Sequence, residues 1–458
     1  MSWLLSIAAS LGDWFSQCAV EWRDAAADEL LHFRTVQGFS EWLGEFALLF
    51  PLGMSVIWMF FGLLYVMRRE RRLPWRDAAA EEPSIAVVIP ARNEEAGIAA
   101  SIESLLAQDY PRMRIYVMSD NSLDATVEIA RRYESRGVCV HDLQTRHGKA
   151  GALQVALDAV REDLFMVLDA DTTCGANAIR ALTQQFVDPH VGGVTGSPHV
   201  ENLDSNLARM QAMEYMGIIG LIKRADSFWG GLFTVSGAAA CFRTKTLREV
   251  GGWSGVSVTE DIELSWRMQK AGYELAYEPR ALFGIQAPTS IGALHRQRRR
   301  WAQGMWEVLR LHGELHETRN SSLLPMAAQA IASAGWMAIT LASALLWIIQ
   351  LTTGLDIAPA FEPMTALRLL GIATTLFVLQ TVLACLWESD YRPGCWRVVP
   401  YAVLFPLYYW CVIVPSFIMG AFAATASAPG RHALWERTAR SKKGSIAHSG
   451  RSLSEAAG

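Results

Sequence analysis

The chain has 458 residues, 51% of them hydrophobic, with 17 tryptophans and a formal net charge of −4. That is ample for one large soluble domain plus a membrane part, and the uneven spread of apolar residues excludes a wholly soluble protein. Seven scattered cysteines with no C-x-x-C pair point to neither a zinc site nor a disulfide framework.

Residues 1–45 lack a basic start, which argues against a signal peptide. Asp13 makes Trp3–Val20 a poor span, because a mid-bilayer acid costs roughly 2.5–3.5 kcal/mol on insertion scales. Trp3, Trp14, Phe15 and Trp22 fit a helix lying at the membrane interface, with a weak extra span as the alternative. Phe46–Met67 carries no charge and is long enough to cross a bilayer. Arg68, Arg69, Arg71 and Arg72 follow at once; basic flanks of this kind stay cytoplasmic, so the region beyond residue 72 is expected in the cytosol.

From residue 83 to 285, strand and helix patterns alternate. Ile85–Pro90 reads as a strand, and Glu94–Gln108 as a helix with Ile98, Ile102, Leu105 and Leu106 on one face. Arg114–Met118 is the next strand, ending at Ser119-Asp120-Asn121-Ser122. Asp124 is expected to cap a helix to Arg136. Val138–His141 is a third strand, and His147–Gly151 opens a helix. Leu164–Leu168 is a buried strand. Val191–Ser197 and Phe233–Ser236 read as further strands, with a long helical stretch, Asn202–Arg224, between them. The alternation predicts an α/β fold with a mainly parallel sheet and helices on both faces, inserted between membrane helices. Neither G-x-G-x-x-G nor G-x-x-x-x-G-K-[ST] occurs at the turns, so the dinucleotide fingerprint and the P-loop are both absent.

The strand Leu164–Leu168 ends in Asp169-Ala170-Asp171. In an extended segment these two acids share a side, at the carboxyl end of a strand, where open α/β sheets bind ligands. Such a pair can hold a hard divalent cation, and through it a diphosphate; for a lone D-x-D a polar turn is the commoner explanation, and the surrounding chain decides. Thr259 can cap a helix whose first turn holds Glu260 and Asp261, which fits either a well-capped helix or a reactive site. Ser290–Leu311 is a basic helical stretch with Arg296, Arg298, Arg299, Arg300 and Trp301. No aromatic-interleaved or repeat context supports nucleic-acid binding there. A solvated face and a helix along the membrane surface presenting arginine to an anionic leaving group both remain open. His312 and His316 have metal spacing but no third ligand nearby, and read as surface residues. Apolar runs at Met326–Ile349, Leu369–Trp387 and Val398–Ala424 fill residues 326–425, and a basic tail follows at 426–458. Three spans there would put the tail outside, whereas Arg431, Arg437, Arg440, Lys442 and Lys443 favour inside. Pro400, Pro406 and Pro415 break the last run, and two short segments in place of one would restore the parity.

Six pieces stand in a telling order: Pro90-Ala91-Arg92-Asn93-Glu94, Ser119–Asp124, Gly148–Leu153, Asp169-Ala170-Asp171, Thr259-Glu260-Asp261 and Gln297-Arg298-Arg299-Arg300-Trp301. Together they resemble family 2 glycosyltransferases of the processive, membrane-embedded kind, the cellulose, chitin, hyaluronan and poly-N-acetylglucosamine synthases. The resemblance covers about residues 45–440. Glu214-Tyr215, Ile218–Arg224, Phe233–Gly237 and Arg300–Gly304 are similar to the bacterial poly-β-1,6-N-acetyl-D-glucosamine synthases. Ser119-Asp120-Asn121 departs from them, since they carry Asn-Asp-Gly there, and their first N-terminal span is poorly matched.

The resemblance implies a GT-A-like fold over 83–285 and interface helices over 286–320. It implies that Asp171, with Asp169, ligates Mg²⁺ or Mn²⁺, and that Asp169 also contacts the sugar nucleotide. Glu94 and Asp120 would hold the uridine end and Lys149 would help position it. Arg300 and Gln297 would meet the donor diphosphate, and Glu260 and Trp301 the acceptor. Asp261 would be the general base of a single inverting displacement. The implied activity is processive transfer of N-acetylglucosamine from UDP-GlcNAc into a β-linked, expected β-1,6, exopolysaccharide fed across a bacterial inner membrane. The implied partners are a small membrane subunit and, by family analogy, a cyclic dinucleotide acting on the complex. A cellulose-, chitin- or hyaluronan-type synthase, or a non-processive transferase acting on a lipid carrier, would share the acids. A transporter or receptor with a nucleotide-sensing domain would be expected to carry buried charges in its spans, and these runs carry almost none.

Overall fold

The computed structural model describes residues 36–70, 82–314, 318, 322–354, 363–392 and 394–426. The expected interfacial segment lies mostly outside the described residues, and so does the basic tail. Two compact units are present. The smaller takes residues up to Ile57 together with Ala328–Leu376. In it Phe46 and Phe50 are 5.4 Å apart, Phe50 stacks on Trp336 at 6.2 Å, and the Trp336 indole N–H donates to the Ala47 carbonyl at 2.9 Å.

The larger unit, Trp58–Ala327 with Phe377 onward, carries the sheet. Its eight strands are β1 Ile85–Ala91, β2 Met113–Asp120, β3 Val138–Leu143, β4 Leu164–Leu168, β5 Thr173–Cys174, β6 Val191–Val200, β7 Ala239–Arg243 and β8 Glu274–Ile285. Their spatial order is β3-β2-β1-β4-β7-β6-β8-β5. β1, β2, β3 and β4 are parallel to their neighbours within that group. β7 runs antiparallel to β4 and β6, while β6 and β8 are parallel. The expected α/β class holds, with the antiparallel pairs confined to the second half.

Strands β1 and β4 are apolar at nearly every position because both faces are covered. Alternation splits them between two cores. Ile85, Val87, Ile89, Leu164, Met166 and Leu168 pack with Ile98, Ile102 and Leu105. Ala86, Val88, Phe165 and Val167 pack with Ala152, Leu153, Ala156 and Leu157. Register then aligns the strand ends: Ala91 pairs with Ser119, and Val88 with Val167. Arg92–Glu94, Asp120 and Asp169–Asp171 therefore leave the sheet side by side.

Several element boundaries differ from the sequence expectation. The helix after β1 is Ile98–Leu106, and the one after β2 is Thr126–Arg131 followed by a 3-10 turn, Glu134–Arg136. Asp124 accepts from the Thr126 and Glu95 N–H groups, but the cap position is Ala125 and no side chain caps it, so Asp124 braces the loop before the helix and is not its expected cap. Phe233–Ser236 is a loop; the strand begins at Ala239, after a turn in which the Ala239 N–H donates to the Ser236 carbonyl. The long helical stretch runs Asn206–Phe228, but Met216–Ile222 in its middle is π-helical.

Among the described residues, four helices are long and apolar enough to cross a membrane: Leu49–Arg68, Leu323–Leu345, Leu370–Glu388 and Cys395–Ala426. The last is broken at its prolines. Cys395–Leu404 is 3-10 helical, Phe405–Tyr408 is α-helical, Tyr409–Ile413 is π-helical, and Val414–Ala426 is α-helical.

Candidate active site

The Ile291–Leu311 helix is tied to the loop that starts the Glu260–Lys270 helix. The Glu307 carboxylate accepts from the Ser257 hydroxyl at 3.1 Å and the Val258 N–H at 3.0 Å. Gly304 packs so tightly on Thr259 that a Cβ there would overlap its side chain. Below, Ile262 and Trp266 share a core with Val308, Leu323 and Met326. A basic helix distant in sequence is thereby fixed beside Glu260 and Asp261. Thr259 is the residue before the helix, but its hydroxyl pairs with Ser257 at 3.3 Å and caps no backbone N–H.

One cavity of about 510 Å³ takes in the strand ends, this helix start and the basic helix. All ten residues singled out from the sequence line it: Glu94, Asp120, Lys149, Asp169, Asp171, Glu260, Asp261, Gln297, Arg300 and Trp301.

At the strand ends, the two Asp120 oxygens accept from the N–H groups of His147 at 2.6 Å and Gly148 at 3.0 Å. Asp120 thus holds the start of the Gly148–Ala159 helix and keeps two of its roughly four lone-pair positions for a ligand. Glu94 is buried, and its N–H donates to the Thr126 hydroxyl. Asn93 and Asn121 take left-handed backbone angles, φ 53° and 54°, which asparagine tolerates. The Asn93 side-chain oxygen accepts from the Leu123 N–H at 2.8 Å, locking the two loops together.

Lys149 is the hub of the acids. Its Nζ lies 2.8 Å from Asp169 Oδ1 and 3.0 Å from Glu260 Oε1, and donates to the Gly237 carbonyl at 3.0 Å. Burial alone would lower this ammonium; the charges of Asp169 and Glu260 outweigh it and hold it above the ordinary lysine range. Burial likewise works to raise Glu260, but Lys149 keeps its carboxyl below the usual value. Asp261 behaves oppositely. Burial, and then the neighbouring Glu260 charge, push it up to about 6. Its oxygens accept from the Gly237 N–H at 2.9 Å and the Ile262 N–H at 2.9 Å. A buried carboxyl that titrates near neutrality and faces a cavity has the properties of a proton acceptor.

Arg300 makes no hydrogen bond or ion pair among the described residues, so its guanidinium is open to an anion in the cavity. Asp171, with Asp169 beside it, offers hard carboxylate oxygens. Among the described residues no group of three or more His, Cys, Asp or Glu forms a full protein cage. Magnesium-type sites need only one or two carboxylates when phosphate oxygens complete the shell, so the donor set fits a cation brought in with a diphosphate.

Sequence reasoning gave Arg298, Glu214 and Lys223 no role in the site. Arg298 Nη2 pairs with Glu214 Oε2 at 2.7 Å, and the Tyr408 hydroxyl donates to the same oxygen at 2.7 Å. Arg298 Nη1 donates to Gln297 Oε1 at 2.9 Å, and the guanidinium lies over Trp301. The signal was the helical face: of three consecutive arginines Arg298 is buried, Arg299 is exposed and Arg300 borders the cavity. Lys223 carried a second signal, as the charge ending an apolar run. His312, read as a surface residue, is partly buried, with Nε2 3.2 Å from Glu263 Oε1; His316 lies outside the described residues.

Residues 83–304 match the family model described as glycosyltransferase like family 2. The poly-β-1,6-N-acetyl-D-glucosamine synthase of Staphylococcus epidermidis (strain ATCC 35984) is 31% identical over 399 residues, 85% of this chain and 97% of that one. The enzyme of the same name from Staphylococcus aureus (strain COL) is 34% identical over 271 residues, 58% of this chain and 66% of that one. Among solved structures, a mannosyltransferase from Pyrobaculum calidifontis in complex with GDP-Man and Mn²⁺ aligns with 84% of this chain and 99% of its own, at 18% identity and TM-score 0.48. By the family match and the extent of the likeness to the S. epidermidis enzyme, the chain belongs to the family 2 glycosyltransferases and is a glycosyltransferase.

Proposed function

We propose that this glycosyltransferase polymerises N-acetylglucosamine from UDP-GlcNAc into a β-1,6-linked chain, by single inverting displacement, and passes the product across the membrane. The names of the two Staphylococcus relatives support the sugar and the linkage. The observation that carries the reading is the meeting of Asp261, Arg300, Trp301 and the Asp169–Asp171 pair on one cavity.

In this reading the acceptor sugar rests on the Trp301 ring, with its hydroxyl toward Asp261. Asp261 takes the hydroxyl proton as the oxygen attacks the anomeric carbon. The bond from that carbon to the UDP oxygen breaks on the opposite face, which turns an α-linked donor into a β-linked product. Arg300 binds the departing diphosphate through its forked N–H groups. Asp171, with Asp169 beside it, would hold Mg²⁺ or Mn²⁺, which supplies Lewis-acid stabilisation of the leaving group. Glu94 and Asp120 border the uridine. Lys149 fixes Asp169 and Glu260, so those acids stay in place as the diphosphate leaves.

The reading includes a cytosolic site and a tail on the same side. Cys395–Leu404 packs on the Asn206–Tyr215 helix, where the Tyr401 hydroxyl donates to Asn206 Oδ1 and Arg209 Nη1 donates to Tyr401, both at 3.0 Å. Val414–Ala426 then runs along the Ile291–Leu311 helix. The Ser416 hydroxyl lies 2.8 Å from His295 Nδ1, Gly420 abuts the backbone of Arg299 and Gln303, and Arg310 donates to the Ala424 carbonyl at 2.9 Å. Arg296, Arg299 and Arg310 on that basic helix are exposed, and each would cost roughly 2.5–3.5 kcal/mol at the bilayer centre. A segment bound along such a helix lies at the membrane surface and does not cross, which supports the basic tail being cytosolic. A reporter fused at residue 440 tests this: activity in the cytosol agrees, activity outside contradicts it.

The experiment for the activity supplies membranes with labelled UDP-GlcNAc or UDP-glucose and digests the product with linkage-specific hydrolases. A polymer cut only by a β-1,6-N-acetylglucosaminidase is expected. A glucose polymer, or single additions to a lipid, would contradict the proposal. EDTA should abolish the reaction, and Mg²⁺ or Mn²⁺ should restore it.

A further inference from the structure

The run Ile218–Arg224 holds a charge that the mechanism above leaves unused. Lys223 is 93% buried, being only 7% exposed, and lines the cavity. It makes no hydrogen bond or ion pair with any described residue. A mostly buried lysine whose ammonium opens onto the cavity with three donors unfilled by protein calls for an acceptor in that cavity. Burial pulls it down to about 8 against the opposing charges of Asp261 and Asp226.

The helix is built to hold it there. Gln211, Tyr215, Ile219 and Lys223 are spaced i, i+4 and all line the cavity. In a regular α-helix such a series rotates by about 40° at each step. The π turn Met216–Ile222, which winds more residues per turn, offsets the drift and keeps the series on one side. The next residue fixes the turn: Arg224 is fully buried and bound to Glu70 at 2.7 and 3.1 Å and to Glu388 at 3.2 Å.

We propose that Lys223 is a binding residue for the acceptor sugar, its ammonium donating hydrogen bonds to hydroxyl or carbonyl oxygens of the terminal sugar between Trp301 and Asp261. Asp261 and Asp226 are the charges beside it, so an oxygen-rich neutral group fits there. Asp169 and Glu260, the other acids of the cluster, are already taken by Lys149. The inference rests on the reading of Asp261 as the base.

The test is the acceptor KM of Lys223→Met and Lys223→Arg in the full chain, measured with β-1,6-linked N-acetylglucosamine oligosaccharides at saturating UDP-GlcNAc, alongside the donor KM. Loss of a hydrogen bond from a charged donor should raise the acceptor KM about tenfold or more in Lys223→Met, with the donor KM unchanged and partial recovery in Lys223→Arg. An unchanged acceptor KM overturns the proposal, and so do acceptor and donor KM rising together, as a merely structural lysine would give. Lys223→Gln gives the same readout should the methionine variant not accumulate. Failure of the general-base reading has a separate signature, turnover retained by Asp261→Asn.

Discussion

The Arg298 guanidinium carbon lies 4.2 Å from the centroid of the Trp301 ring. The same group is bound to Glu214, which also takes the Tyr408 hydroxyl. The stack is therefore held from behind by a buried ion pair, and the ring is fixed rather than free to swing. Replacing Arg298 by lysine keeps a charge for Glu214 but loses the flat fork over the indole. A cation–π contact of about 0.5–2 kcal/mol is at stake. Arg298→Lys should shorten the polymer while leaving the donor KM close to wild type. Gel analysis of product length, with donor kinetics, checks it; an unaltered length distribution would count against the role of the stack.

Lys149 bridges Asp169 and Glu260 inside a buried site. Lys149→Met leaves two carboxylates facing one another without the cation, and removing one partner of a buried pair costs about 3–5 kcal/mol. The variant should melt well below wild type. Glu260 is held low by Lys149, so its carboxyl should rise once the lysine is gone. Protonation then relieves the repulsion, and the stability gap between variant and wild type should be smaller at pH 5 than at pH 8. A gap that widens on acidification would refute this account of the hub.

Gly304 and Thr259 form the seam between the basic helix and the start of the Glu260–Lys270 helix. Gly304→Ala forces the two apart, at a cost of about 1–3 kcal/mol for overpacking. Because Glu260 and Asp261 follow Thr259 directly, turnover should fall by more than the loss of folded protein explains. Adding Thr259→Ala, which removes Oγ1 and Cγ2, should recover part of it. Comparing specific activity with melting temperature in the two variants decides.

Much of the site was legible because its residues end apolar strands or open helices. β1 and β4 are continuous apolar runs and β2 is apolar from Ile115 to Met118, and the polar residues that terminate them had to lie at one edge of a parallel sheet. β8 was not legible. Its middle carries Glu278 and Arg280, paired with each other at 2.7 Å and buried, which hides the pattern of a core strand. Phe233–Ser236 has strand-forming residues yet is a cavity loop, whereas Ala239-Ala240-Cys241 forms the strand. Pairing with both β4 and β6 decides that, and intrinsic preference does not. Arg298 stood among identical neighbours, and only the packing of the helix tells which arginine turns inward.

The central claim is that Asp261 removes the acceptor proton. Burial and Glu260 push its carboxyl up to about 6, so kcat should rise with pH through that region as the carboxylate forms and decline as pH falls below it. The most direct measurement is kcat and UDP-GlcNAc affinity for Asp261→Asn beside the wild-type profile. The account predicts donor binding kept, turnover lowered roughly 10²–10⁴-fold, and the rise near pH 6 gone. Near-normal turnover in Asp261→Asn, or an unchanged pH profile, would contradict it.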